Sequence, residues 1–310
     1  MPTLALATAV ATIGQDDDLP LLLEACRRAG IDARVLAWDD ATVSWGRFDA
    51  VLIRSTWDYT ERLAEFLGWC ARVDRATALL NPLAVLRWNT DKHYLAALAD
   101  AGIPIVPSVF VEPEAEPLPA LQAFLARHAC GEYVVKPTIG AGARDTQRYS
   151  RAQEFAASNH IARLLEAGRS VLIQPYLASV DTAGETGLVY LDGVFSHAIR
   201  KGPLLYADGD AGDLGPAIER IVRREPEQDE LALADAILTV AYRILAPIDP
   251  LAYARIDLIR DPAGRPRLLE LELTEPSLFL AHSPGSAEHF ALRLAGRLEG
   301  LPVRTRTGSP

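Results

Sequence analysis

Residues 253–275 read YARIDLIRDPAGRPRLLELELTE, and no other stretch restricts the fold as much. Two alternating runs flank Ala263-Gly264, a pair suited to a tight hairpin turn. A two-residue turn there sets Asp257 opposite Glu270 and Arg255 opposite Glu272, and the period of two puts all four on one face. The other face carries Ala254, Ile256, Leu258, Leu269, Leu271 and Leu273 and has to be buried. The carboxylates of Asp257, Glu270 and Glu272 repel each other unless positive charge sits among them. Hard oxygen donors of this kind suit Mg2+ or Mn2+, ions that usually accompany phosphates. The plain alternative is a solvated face with one Arg–Glu pair.

The rest of the chain sets that hairpin in an α/β protein. Over residues 1–85, strand-like Leu4–Ala11, Ala33–Ala37, Ala50–Arg54 and Ala78–Leu80 alternate with helical spacing around Leu21–Cys26 and Glu61–Val73, as a parallel, doubly wound sheet requires. Asp18 stands where it can cap the first helix. From 86 to 175, Asn89-Thr90-Asp91-Lys92 opens a helix ending near Gly102. Strand Val109–Val111, helix Leu118–Ala129, strand Tyr133–Lys136, the loop Thr138–Thr146, helix Arg151–Ala167 and strand Val171–Gln174 follow. From 176 to 302 there are two hairpins, the first turning at Asp192-Gly193 with Glu185 opposite Arg200. Between them lie an acidic, Gly/Pro-bearing stretch, Gly202–Pro226, and a helix over Glu227–Leu245. A patternless stretch of that length reads as a functional lid or a mobile loop. Residues 303–310 read as a tail.

Charge and composition exclude several classes. With 31 basic and 41 acidic residues the net charge is -10, which argues against nonspecific nucleic-acid binding. No apolar run approaches the ~20 residues that cross a bilayer, and the N-terminus reads as a first strand rather than a signal peptide. Cys26, Cys70 and Cys130 are scattered, as reduced thiols of a cytoplasmic protein would be. His93, His128, His160, His197 and His289 share no ligand spacing.

Lys136 closes a strand and enters a loop of small residues, Thr138-Ile-Gly140-Ala-Gly142, whose N–H groups can face a phosphate. Alone that signal is weak: it is neither a Walker A loop nor a dinucleotide fingerprint. Val134-Val-Lys136-Pro137, then Ile173-Gln174-Pro175-Tyr176-Leu177, then Arg255-Ile-Asp257 with Glu270-Leu-Glu272-Leu-Thr-Glu-Pro276 resemble, in this order, the ATP-grasp superfamily of carboxylate–amine ligases. The resemblance covers about residues 90–285. It implies an α/β fold with an N-terminal parallel domain, a central α+β lobe and a C-terminal antiparallel-sheet lobe. It also implies that Lys92 and Lys136 hold ATP phosphates, with Thr138, Gly140 and Gly142 in a loop closing over them. Gln174, Pro175, Tyr176 and Leu177 would read adenine, and Asp181 the ribose. Asp257, Glu270 and Glu272 would bind Mg2+, with Arg255 and Arg200 steadying the transferred phosphoryl group. Two positions depart from the pattern: Glu272 stands where relatives usually have Asn, and Gly187 where some have Arg.

For the acceptor, Arg54-Ser55-Thr56-Trp57-Asp58-Tyr59 follows a strand of the open sheet, where ligand groups gather. Arg54 could clamp a carboxylate; a loop packed under Trp57 is the alternative. Thr274, Glu275, Ser277 and His282 could reach a polar substrate. These segments look most like the O-ureido-serine cyclo-ligases of D-cycloserine biosynthesis. That likeness implies a small amino-acid substrate and ring closure through an acyl phosphate. An intermolecular amino-acid ligase, a kinase and a noncatalytic nucleotide sensor are the rival readings. Superfamily members are often dimers, so a homodimer is open, although no residue pattern marks an interface.

Overall fold

The computed structural model describes residues 1–205, 220–247 and 249–301. Residues 206–219, most of the stretch read as a lid or loop, and the tail lie outside the described residues.

Strands β1 (Thr3–Thr8), β2 (Asp32–Ala37), β3 (Ala50–Ile53) and β4 (Ala78–Leu80) form a parallel sheet in the order β2-β1-β3-β4. β1 and β3 are buried along nearly their whole length because helices cover both faces of such a sheet. Helix α1 (Asp18–Arg28) packs on α9 (Ser286–Glu299), and α2 (Leu63–Ala76) lies on the other face beside an aromatic cluster of Trp38, Phe66 and Trp69. The Asp18 side chain does not cap α1; it turns inward and is buried.

The helix expected from Asn89 starts later, as α4 (Tyr94–Asp100); an unexpected helix, α3 (Leu83–Asn89), ends where it was to begin, and residues 90–93 lie between the two. A second sheet is antiparallel, ordered β5-β8-β6-β7, from β5 (Val109–Val111), β6 (Glu132–Pro137), β7 (Gln147–Ser150) and β8 (Val171–Pro175). It is backed by α5 (Pro117–Arg127) and α6 (Glu154–Glu166). After the short α7 (Ser179–Ala183), the third sheet takes the order β11-β10-β9-β12-β13, all antiparallel. Its strands are β9 (Glu185–Leu191), β10 (Val194–Lys201), β11 (Ile221–Arg224), β12 (Tyr253–Arg260) and β13 (Pro266–Glu272), with α8 (Gln228–Leu245) under it.

Both hairpins contain bulges. In β9–β10 the turn falls at Asp192-Gly193, both at positive φ as a primed turn requires. The register then slips between Phe195 and His197, so Glu185 faces Lys201, not Arg200, whose partner is Thr186. In β12–β13 the turn is longer than two residues: Arg260 pairs with Pro266, and the Asp261 N–H donates to the Arg265 carbonyl at 2.9 Å. A bulge beside Leu258 offsets that lengthening, and beyond it Asp257 pairs with Glu270 and Arg255 with Glu272. The bulge moves Leu268 onto the core face and sets Leu269 beside Tyr176 and Leu177.

Strand β13 is an edge whose outer polar groups are satisfied by the backbone of Pro104 and Val106 at Leu268 and by side chains further along. The Leu271 N–H donates to Tyr94 Oη at 2.9 Å, and Asn89 Nδ2 donates to the Leu271 carbonyl at 2.8 Å. Asn89 Oδ1 accepts the Leu273 N–H at 2.6 Å, and Asn81 Nδ2 donates to the Leu273 carbonyl at 2.8 Å. Both asparagines are buried, so these bonds fix the pleat that aims Glu270 and Glu272.

Candidate active site

The three sheets enclose a cleft of about 720 Å³. One wall is the carboxylate face of β12–β13. Arg255 donates from Nε to Asp257 Oδ1 and from Nη2 to Oδ2, both at 3.0 Å, and pairs through Nη2 with Glu272. Lys201 Nζ reaches Asp257 at 2.8 Å and Glu185 at 2.9 Å. Lys92 Nζ lies 2.9 Å from Glu270 and donates to the Gly140 carbonyl at 2.9 Å. Gly187 pairs with Asp257, and a Cβ there would sit 3.1 Å from Asp257 Oδ1, so the glycine makes room for this cluster.

The charges perturb one another strongly. Burial alone would raise the Asp257 carboxyl, but Arg255 and Lys201 hold it down at about 2. Burial likewise opposes Glu270, which Lys92 and Lys136 keep below its usual range. For Glu272 burial wins and Arg255 offsets it only in part, raising the group to about 7. The additional negative charge expected of a glutamate at this position is therefore undercompensated. Lys136 is depressed by burial, with Lys92 and Lys201 adding repulsion. Among the described residues no three acidic, His or Cys groups converge in ligating geometry, because cations occupy the spaces between the carboxylates. The donor set, all carboxylate with no His or Cys, fits a hard divalent cation.

Opposite this wall lie Gly140 and Gly142 of the small-residue loop, and Gln174, Pro175, Tyr176 and Leu177 at the end of β8. Gln174 Nε2 donates to Ser108 Oγ at 2.9 Å. Residues of the N-terminal domain close the far end, where Trp57, Asp58 and Tyr59 meet Thr274, Glu275 and Ser277.

That far end is held by side chains bonded to the backbone of residues 274–280. Tyr253 Oη donates to the Thr274 carbonyl at 2.7 Å, Trp57 Nε1 to that of Glu275 at 3.2 Å, and Arg255 Nη1 to that of Ser277 at 3.0 Å. His197 Nε2 donates to the Leu278 carbonyl at 2.9 Å. The Asp18 carboxylate accepts the N–H groups of Leu278, Phe279 and Leu280 at 2.6, 3.1 and 2.7 Å.

Several expected site residues lie elsewhere. Arg54 is 1% exposed and pairs with Asp18 at 3.3 Å and Asp16 at 3.6 Å, beneath the cleft rather than in it. A strand-end arginine resembles a ligand group, but here two aspartates of the α1 entry claim it. Ser55 and Thr56 are fully buried; Ser55 Oγ and Thr8 Oγ1 share a hydrogen bond of 2.9 Å. Thr138 is buried, with its carbonyl accepting the Lys92 N–H at 3.0 Å. Asp181 stands outside the cleft, bonded to Tyr176 Oη and 3.5 Å from Arg148. Arg200 donates to the Thr182 carbonyl, away from the cleft, because the β10 bulge hands the inward position to Lys201. His282 forms an edge contact with Phe279 and does not line the cleft. The residues missed were Lys201, Asn89 and Asp18. Only the bulge hid Lys201; the other two act through partners distant in sequence.

A central antiparallel sheet and a C-terminal one closing on lysines, an arginine and paired carboxylates define the ATP-grasp fold. The D-alanine–D-alanine ligase of Bacillus anthracis shares this fold at a TM-score of 0.65 and 14% identity, with 97% of this chain and 100% of that one covered. Within that class the chain belongs to the D-cycloserine synthetase family. It is 46% identical over 300 residues to the cycloserine biosynthesis protein DcsG of Streptomyces lavendulae, covering 96% of this chain and all of the relative. The crystal structure of D-cycloserine synthetase DcsG superposes with a TM-score of 0.90 at 45% identity, covering 96% and 99% of the two chains. Residues 4–81 match the N-terminal domain described for that family.

Proposed function

We propose that this ligase uses ATP and Mg2+ to activate the carboxylate of O-ureido-D-serine as an acyl phosphate, that the substrate's ureido nitrogen then displaces phosphate to close the ring of D-cycloserine, and that water takes up the carbamoyl group as carbamate. The observation that carries the reading is Arg255. One guanidinium joins the metal-type carboxylates Asp257 and Glu272 to the backbone of Ser277, so phosphoryl chemistry and the substrate loop meet at one group.

The roles follow from placement. Gln174 to Leu177 present backbone groups to adenine. Lys92, Lys136 and Lys201 take the phosphates, the loop at Gly140 and Gly142 covers them, and Asp257, Glu270 and Glu272 hold the metal. Bound there, Mg2+ would offset the negative charge of the phosphates during phosphoryl transfer. Arg255 stabilises charge developing on the acyl phosphate, and the closed far end keeps water from it. A nucleotide in the hinge and phosphate parts leaves a space bounded by Trp57, Tyr59, Glu275 and Phe279, suited to a small amino acid rather than a protein tail. Work in the cytoplasm fits a biosynthetic ligase without an apolar spanning helix among its described residues.

The test is ATP consumption with Mg2+ across a panel of amino acids including O-ureido-D-serine, reading phosphate and product mass, with Glu270→Gln as control. The expected result is phosphate release with O-ureido-D-serine and a product of the mass of D-cycloserine, both lost in the control. Turnover confined to pairs of amino acids would replace this reading with an intermolecular ligase.

A further inference from the structure

Among the described residues, one acid of the cleft has no charge partner. Glu275 lines the far end, and its Oε2 is buried without a hydrogen-bond partner. The neighbouring acids are all matched. Asp58 lies 3.2 Å from Arg62, Glu61 pairs with Arg144, Glu270 with Lys92, and Arg255 serves Asp257 and Glu272. No such pair forms at Glu275 among the described residues. Burial pushes its carboxyl up to about 8, repulsion from Glu272 adds to this, and hydrogen bonding from Tyr59 and the Lys92 charge oppose it. Nor can Glu275 borrow Arg54, which Asp16 and Asp18 retain. Its backbone is pinned by Trp57, so the side chain points where the loop aims it. A buried carboxylate oxygen left without a donor is unfavourable, and a ligand that brings a charged donor removes that cost.

We propose that Glu275 determines specificity by pairing with the substrate's α-ammonium, so that the enzyme selects carboxylic acids bearing a free amine. This rests on the amino-acid reading of the same site. The ammonium anchors one end of the substrate at Glu275 and Tyr59, and its carboxyl turns toward Arg255. An N-acylated or des-amino acid loses the first anchor and keeps the second.

The experiment compares O-ureido-D-serine with its des-amino counterpart, 3-(ureidooxy)propanoic acid, on wild type, Glu275→Gln and Tyr59→Phe, measuring kcat, KM and ATP affinity. Wild type is expected to favour the amine by on the order of 100-fold in kcat/KM, the worth of one charged hydrogen-bonded pair. Glu275→Gln raises KM for the amine by a similar factor and leaves the des-amino acid within about 3-fold, with ATP affinity unchanged. Tyr59→Phe erodes the same preference by about 10-fold. Equal losses on both acids, or an intact preference in Glu275→Gln, overturn the proposal. If that variant does not fold, an intact preference in Tyr59→Phe does so. Should wild type turn over a different amino acid, the substrate reading falls; the same comparison on that amino acid and its des-amino form then decides for or against Glu275.

Discussion

The two ends of the cleft are built on opposite plans. At the proposed phosphate end, side chains hold side chains: Lys92, Lys201 and Arg255 are distributed among Glu185, Asp257, Glu270 and Glu272. At the proposed substrate end, side chains hold backbone: Asp18, Trp57, His197, Tyr253 and Arg255 bond residues 274–280, and among the described residues Glu275 has no cation. A charge lattice can exchange partners when phosphates and a divalent ion arrive, because each lysine can leave a carboxylate for a phosphate at little cost in geometry. A loop pinned through its amides cannot rearrange, which suits a surface that must fit one small molecule. Arg255 belongs to both plans.

If the phosphate end works through exchangeable charge, removing one cation costs chemistry more than binding of the amino acid. Lys201→Met keeps much of the side-chain volume and leaves Arg255 on Asp257. The expected outcome is a fall in kcat by about 10²–10³, the usual size for losing one preorganised charged donor, with KM for the amino acid changed little. Thermal unfolding is also expected at lower temperature, because Glu185 and Asp257 each lose a close ion-pair partner. A Lys201→Met enzyme with unchanged kcat and raised amino-acid KM would break the division between the two ends.

The pinned end predicts the converse. In Asp18→Asn one carboxylate oxygen becomes an N–H donor facing backbone N–H groups, and Arg54 loses half of its counter-charge. All three charge-assisted bonds to the loop are lost or weakened, a destabilisation of about 2–4 kcal/mol. KM for the amino acid is expected to rise about 10-fold or more while ATP affinity, measured by titration, stays within about 2-fold. A variant in which both affinities fall together would mean that the loop and the nucleotide site are one unit.

Legibility in the sequence followed the distance between partners. The pairing of Asp257 with Glu270 was readable because hairpin strands are adjacent and alternate, although the longer turn and the Leu258 bulge had to offset each other for it to hold. The β9–β10 hairpin carries a single bulge with nothing to offset it, and there the reading landed one residue away, on Arg200. Arg54 was misread because its partners, Asp16 and Asp18, are brought beneath it only by the parallel sheet. Asn81, Asn89 and Tyr94 brace the edge strand and its exit at Leu273, more than 170 positions away, and no local pattern announces that. Helix α9 was within reach: Phe290, Ala291, Leu294 and Leu298 are buried at helical spacing.

The smallest expected effect bears on the point where reading and fold disagree. Arg200 and Lys201 are neighbours, and a strand places neighbours on opposite faces. The bulge between Phe195 and His197 decides which of them faces the cleft, and it selects Lys201. Arg200 bonds only the Thr182 carbonyl among the described residues, at the C-terminal end of α7. Arg200→Ala is therefore expected to leave kcat and both KM values within about 3-fold and to cost about 1 kcal/mol or less of stability, as losing one partly exposed hydrogen bond does. Paired with Lys201→Met in one steady-state kinetic comparison, it asks a yes-or-no question of the register. A large kcat loss at Lys201 with near-normal kinetics at Arg200 fits the bulge. The reverse pattern would mean that β10 runs without it, that Arg200 faces the transferred phosphoryl group, and that the charge lattice has a different third cation.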